Sequence, residues 1–248
     1  MPESTWRTRL HAVAGLGGGL ALLWTVQGLA AAGDDGSEGW PDEPDLAEQV
    51  AAVNDGELAF IPAAAAEGAH THLNRIRITA ESLEGGWVSL VQCHEHLDAV
   101  PAAQILFRAG GIRDLTIDEA RDIGHAWVEG HSVQLEDVGA DARLCLHAES
   151  RALYALGDGL YRLRNGPYMR RFLDGYYPMR VALAIDYPAE LIHLVGQSPA
   201  TQSGFDVHTT THGIDVDATF EGRLVTCFDF CSNGSGDCAP MAPPCGGE

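Results

Sequence analysis

Four histidines in two mirrored pairs carry the densest potential chemistry in this 248-residue chain. His70 and His72 open the stretch HTHLNRIRITAESLEGGWVSLVQCHEH, and His94 and His96 close it. Imidazole nitrogens suit the later first-row ions, copper or zinc, whereas hard cations such as calcium want oxygen. For four imidazoles to share one ion, the chain must return them to one face of one end of a hairpin.

The sequence between them has the form to do so. Two β-rich runs, Leu73–Thr79 and Trp87–Glu95, flank a turn-like Ala80–Gly86. If Thr79 pairs with Trp87, Ile78 faces Val88, Ile76 faces Leu90, Asn74 faces Gln92, His72 faces His94 and His70 faces His96. All of these lie on one face, because side chains alternate with period two. The other face then carries Arg75, Arg77 and Ser89, and a slip of one residue would turn the apolar set outward. Opposed residues sit roughly 5 Å apart and diagonal neighbours roughly 7 Å apart, so the histidines are expected as a square just past the core. The competing reading is that all four are solvated polar caps.

A second constellation is the Arg- and Tyr-rich segment YRLRNGPYMRRFLDGYYPMR, residues 161–180. Arg162, Arg164, Tyr168, Arg170, Arg171, Tyr176 and Tyr177 could form a patch for carboxylates, phosphates or sugars. The same arginines could equally neutralise the chain's own carboxylates. A third pair, His208 and His212 in HTTTH, has zinc-helix spacing, but on a strand the two would stand about 13 Å apart.

Cys93, Cys145, Cys227, Cys231, Cys238 and Cys245 are read as disulfide partners, with Cys93–Cys145 the expected bridge and two more among the last four. A copper or zinc thiolate built from Cys93, Cys145 and His147 is the alternative use of those sulfurs.

Export is expected from the N-terminus. Arg7 and Arg9 precede the apolar Val13–Leu29, and Ala30-Ala31-Ala32 fits a cleavage site that would leave Gly33 first. The chain has 35 acidic residues against 15 basic ones, and every basic residue is arginine. This balance disfavours nucleic acid and anionic membranes as partners, and the lack of lysine excludes Schiff-base chemistry. No run after the signal approaches the roughly 20 apolar residues of a membrane span.

The organisation expected is a signal peptide (1–32), an acidic mobile leader (33–57), an N-terminal β half with the histidine hairpin (58–156), a C-terminal β half (157–231) and a Cys/Gly/Pro-rich tail (232–248). Short apolar segments between turn residues, among them Leu115–Ile117, His125–Glu129, Ser132–Leu135 and Arg143–Glu149, indicate an all-β antiparallel sandwich, single or in two packed halves divided near Gly157. Asp118–Arg121 is expected as a helical turn. The run VALAIDYPAELIHLVGQSP, then GFDV, then GIDVDATFEG resembles the strand order of cohesin-like and other immunoglobulin-type sandwiches. This resemblance is architectural, is confined to residues 181–222, and carries no functional motif.

GxSxG, HExxH, P-loop and Rossmann fingerprints are absent. The leading expectation is therefore an exported periplasmic or secreted binding protein, not an enzyme, with His70, His72, His94 and His96 taking copper or zinc. The alternative is an interaction module that uses the Arg/Tyr segment on a protein or glycan partner. A metalloenzyme on the same histidines, with Glu95 or Asp98 as proton acceptor, stands third.

Overall fold

The alternation read from the sequence sets the register of the central hairpin. The structure, a computed structural model, describes residues 56–172, 175–236, 238 and 245. The export signal, nearly all of the acidic leader and most of the tail lie outside the described residues. Strands β1 (Ala59–Phe60), β2 (Thr71–Arg77) and β3 (Trp87–Leu97) follow in order, with a 3-10 turn at Ala63–Ala66. Strands β2 and β3 pair antiparallel with His72 opposite His94, Asn74 opposite Gln92 and Ile76 opposite Leu90, which is the expected register.

The connection differs from the expected open turn. Residues Ala80–Gly85 form a short helix, α1, with Thr79 at its N-cap. Thr79 and Ser82 satisfy each other's backbone N–H groups in a capping box, and Gly86 ends the helix at φ 75. The ladder therefore stops at Arg77–Ser89 and does not reach Thr79–Trp87.

Next come β4 (Val100–Leu106), β5 (Ile112–Glu129) and β6 (Ser132–Arg151). The sequence reads as several short segments here, but the structure has two strands of 18 and 20 residues. Asp114, Asp122, Asp137 and Asp141 explain the difference. All four take positive φ, and the register shifts of the β5–β6 ladder cluster around the first two. Aspartate tolerates this region through its short polar side chain. A bulge bends a strand without ending it. The helical turn expected at Asp118–Arg121 is part of β5.

The remaining strands are β7 (Leu153–Gly157), β8 (Leu160–Tyr168), β9 (Arg170–Phe172), β10 (Gly175–Tyr177), β11 (Met179–Asp186), β12 (Ile192–Ser198), β13 (Phe205–Thr209), β14 (Gly213–Glu221) and β15 (Leu224–Ser232). A large sheet runs β1-β14-β11-β2-β3-β6-β4, with β13 also on β14 and β5 also on β6. A four-stranded sheet runs β12-β15-β8-β7, and β9 and β10 form a ribbon. All pairings are antiparallel except β2 with β11, which is parallel.

Each large assembly takes strands from both sides of Gly157, so the two separate sandwich halves considered from the sequence do not form. Instead the inner faces of the two sheets close on one core. Val88, Leu90, Val181, Leu183, Ile185 and Phe220 from the large sheet pack in it with Leu163, Phe228 and Phe230 from the small one. A second core, Val133, Leu135, Val138, Ala142, Leu144 and Leu146, is closed by Val100, Ile105, Ile117 and Ile123 of the adjoining strands. Its members come from β4, β5, β6 and their junctions, so this curled part of the sheet closes largely on itself.

Three disulfides staple the fold: Cys93–Cys145 between neighbours β3 and β6, Cys227–Cys245 and Cys231–Cys238. The expected bridge is present, and no described cysteine is free. The thiolate site on Cys93, Cys145 and His147 is ruled out because both sulfurs are joined.

Candidate binding site

The inner face of the large sheet is apolar except at one place. In one row across it stand Val181, His72, His94 and Leu144; in the next stand Leu183, Asn74, Gln92 and Leu146. The flanking leucines and Val181 are at most 2% exposed, and the four polar residues they enclose are at most 8% exposed. The histidines therefore lie within the sandwich and not just past its core. Burying polar groups among aliphatic ones is unfavourable unless each finds a partner.

Most of them do. The Gln92 amide donates to His94 Nε2 at 2.7 Å, which leaves the His94 proton on Nδ1. From there it points at His70 Nε2, 2.9 Å away. Asn74 Nδ2 donates to the hydroxyl of Tyr168, which reaches across from β8 at 2.8 Å. His72 stacks on His94 with ring centroids 4.3 Å apart and meets Tyr168 edge-on at 5.1 Å.

Within this cluster two buried atoms have no hydrogen-bond partner among the described residues: His72 Nε2 and Asn74 Oδ1. Gln92 and Asn74 are close enough to the His72 ring to raise its pKa by hydrogen bonding, against the larger effect of burial, although neither makes a hydrogen bond of full geometry to Nε2.

Burial holds all three rings in the neutral form. It is the largest cause in each case, bringing His70 down to about 4 and His72 to about 3 and holding His94 well below the usual range. Repulsion among the rings adds to this: His70 lowers His72, and both lower His94. At His70 the Asp98 carboxylate pulls the other way, offset by Arg170 and His96. Burial also raises the Tyr168 hydroxyl, so it stays protonated.

His96 does not join the stack. The expected His70–His96 pair does not form: the β2–β3 ladder ends one residue short of it at Thr71–Glu95, and β3 bulges against β6, where His94 pairs with Leu144 and the next registered pair is Leu97 with Ala142. His96 takes φ 54 within this bulge, and its ring lies 3.1 Å from Asp141 at 48% side-chain exposure. It lines an outer cleft of about 520 Å³ with Thr71 and Arg180. So the structure gathers His70, His72 and His94 and directs His96 elsewhere. Among the described residues no group of three or more His, Cys, Asp or Glu side chains is already disposed to hold a metal ion.

The Arg/Tyr segment does not act as one surface. Arg162 makes a two-pronged bond to Asp229, both largely buried. Arg170 does the same with Asp98 and lies over Phe172 and Tyr177. Arg171 lies over Tyr176, Arg164 sits on β8 opposite Cys227, and Tyr168 is buried at the histidines. Arg180, from the same segment, binds Asp217. His208 is on β13, and His212 lies in the turn before β14.

Sequence reasoning missed Asn74, Gln92 and Tyr168 as members of the site. The first two stand in the same alternating row as the histidines and were legible as its continuation; Tyr168 arrives from a different sheet.

No family model matches this chain, and no curated protein matches it. Among solved structures it is similar to a two-domain M1 zinc metallopeptidase, a mutant bound to L-tryptophan, at 11% identity and a TM-score of 0.34. That similarity covers 72% of this chain and 44% of the other, and at this level it carries no functional argument.

Proposed function

We propose that this chain is an exported, disulfide-stapled β-sandwich that binds a late first-row transition ion, copper or zinc, through His70, His72 and His94. The observation that carries this reading is a cluster of three imidazoles kept neutral by burial, one with a buried Nε2 that makes no hydrogen bond of full geometry to the described residues. Neutral imidazole is the form that ligates, so no proton need be displaced. Tyr168, Asn74 and Gln92 around the rings are of the kind that orient ligands in metal sites.

Binding breaks the His94–His70 hydrogen bond, which frees His70 Nε2, and requires His94 either to release Gln92 and present Nε2 or to move its proton off Nδ1, with at least one ring turning. The three disulfides support an oxidising, exported setting. Equilibrium dialysis against zinc or copper, followed by elemental analysis, tests the reading. The wild-type chain and His208→Ala should each retain one equivalent, and His72→Ala and His94→Ala should retain none. Failure of the wild-type chain to hold a stoichiometric ion would overturn it.

A further inference from the structure

Trp127 belongs to neither core. It sits on the solvent face of the β4–β6–β5 sheet, whose opposite face supplies Ala103, Ile105, Val133 and Leu135 to the second core. The cross-strand register lays that solvent face out as a grid. Ala102, Glu136 and His125 form one row; Gln104, Gln134 and Trp127 form the next; Leu106, Ser132 and Glu129 form the third.

The grid is assembled around the indole. The His125 ring stacks on Trp127 with centroids 4.6 Å apart and planes 28° apart, and its Nδ1 lies 3.8 Å from the Glu136 carboxylate. Gln134 donates to the Ser132 hydroxyl at 2.9 Å, which fixes its amide. Among the described residues the Gln104 amide and the indole N–H make no hydrogen bond. Ala102 leaves room beside them, and a shallow depression of about 410 Å³ lies over Ala102, Gln104, Trp127, Gln134 and Glu136.

We propose that this face binds a neutral hexopyranose chain. His125 covers one face of the indole, and the other, with its negative quadrupole, is the one to attract the C–H face of a pyranose ring. Planar amides and a carboxylate beside it can each donate to or accept from vicinal hydroxyls. Three strands at about 4.8 Å spacing give a platform roughly 10 Å wide, room for a short oligosaccharide. The charge sign narrows the class further. Glu129 and Glu136 border the platform in a chain of net charge −20, which repels uronates and sulfated sugars. A protein partner fits less well, because large specific interfaces centre on a buried apolar cluster. Here only Leu106 at one corner is a strongly exposed apolar side chain, at 65%.

The test is titration of the intact exported protein with cellohexaose and with chitohexaose, followed by tryptophan emission and calorimetry. Saturable binding of either is expected, with a polygalacturonate oligomer inert. Trp127→Ala should weaken binding roughly tenfold or more, whereas Trp127→Phe, which keeps a ring and loses the N–H, should retain most of it. Both variants should keep the wild-type circular dichroism, since Trp127 packs in neither core. The proposal is overturned if neither neutral sugar binds, if Trp127→Ala binds as well as wild type, or if the protein is a dimer that this substitution dissociates.

Discussion

Lowering the pH from 7 to 5 should cost this fold about 4 kcal/mol or more, a loss traceable to three side chains. In the folded chain burial keeps His70 near 4, His72 near 3 and His94 well below 6.5. Once unfolded, each titrates near 6.5. Below that value the unfolded state binds more protons than the folded one. Stability is therefore complete above about pH 6.5 and falls as pH drops through the window from 6.5 toward 4. Integrating from pH 7 to 5 gives about 2 kcal/mol for each of His70 and His72, and His94 adds to the loss in the same direction. Together they are a large share of the stability of a marginal domain, roughly 5–15 kcal/mol. Carboxylates titrating near 4 contribute little above pH 5, which makes this window specific to the histidines. Urea unfolding at pH 7, 6 and 5, with disulfides intact and a chelator present, measures the loss. His94→Gln removes one titrating ring and should shrink the pH dependence. An unfolding free energy that stays constant from pH 7 to 5 would refute the neutral, buried stack.

Tyr168→Phe removes the acceptor for Asn74, whose Oδ1 already lacks a partner, and should lower stability by about 1–3 kcal/mol on urea unfolding. Arg162→Ala strands the Asp229 carboxylate, 8% exposed, and should cost roughly 3–5 kcal/mol, with Asp229→Asn in the same background recovering part of it. Replacing Cys93 and Cys145 together by serine opens a closure spanning 52 positions and should cost about 4 kcal/mol by chain entropy. Gly86→Ala places a Cβ 2.6 Å from the Leu153 carbonyl at φ +75, so its melting temperature should fall by several degrees.

Alternation made the hairpin legible. His72, Asn74 and Ile76 against His94, Gln92 and Leu90 is the only parity that buries the apolar residues. The same reasoning failed at His96, because a bulge resets the parity, and nothing local in CHEHLD marks that bulge. The long strands β5 and β6 look like fragments in the sequence because aspartates that bend a strand resemble turn residues that end one. Tyr168 could not be placed at the histidines because neither local pattern nor spacing says which distant strand will face which. The Arg/Tyr segment was visible in composition, but its partners Asp98, Asp217 and Asp229 are distant in sequence and meet it only in the folded chain. Trp127 was the omission with a readable signal, since His125, Trp127 and Glu129 alternate outward on a hairpin that turns at Gly130–His131.

X-ray absorption at the zinc edge of protein reconstituted with one equivalent of the ion tests the central claim most directly. An imidazole-rich coordination sphere is expected, with nitrogen at about 2.0–2.1 Å, reduced in His72→Ala and His94→Ala and unchanged in His96→Ala. An oxygen-only shell, or a spectrum indifferent to His72 and His94, would contradict it.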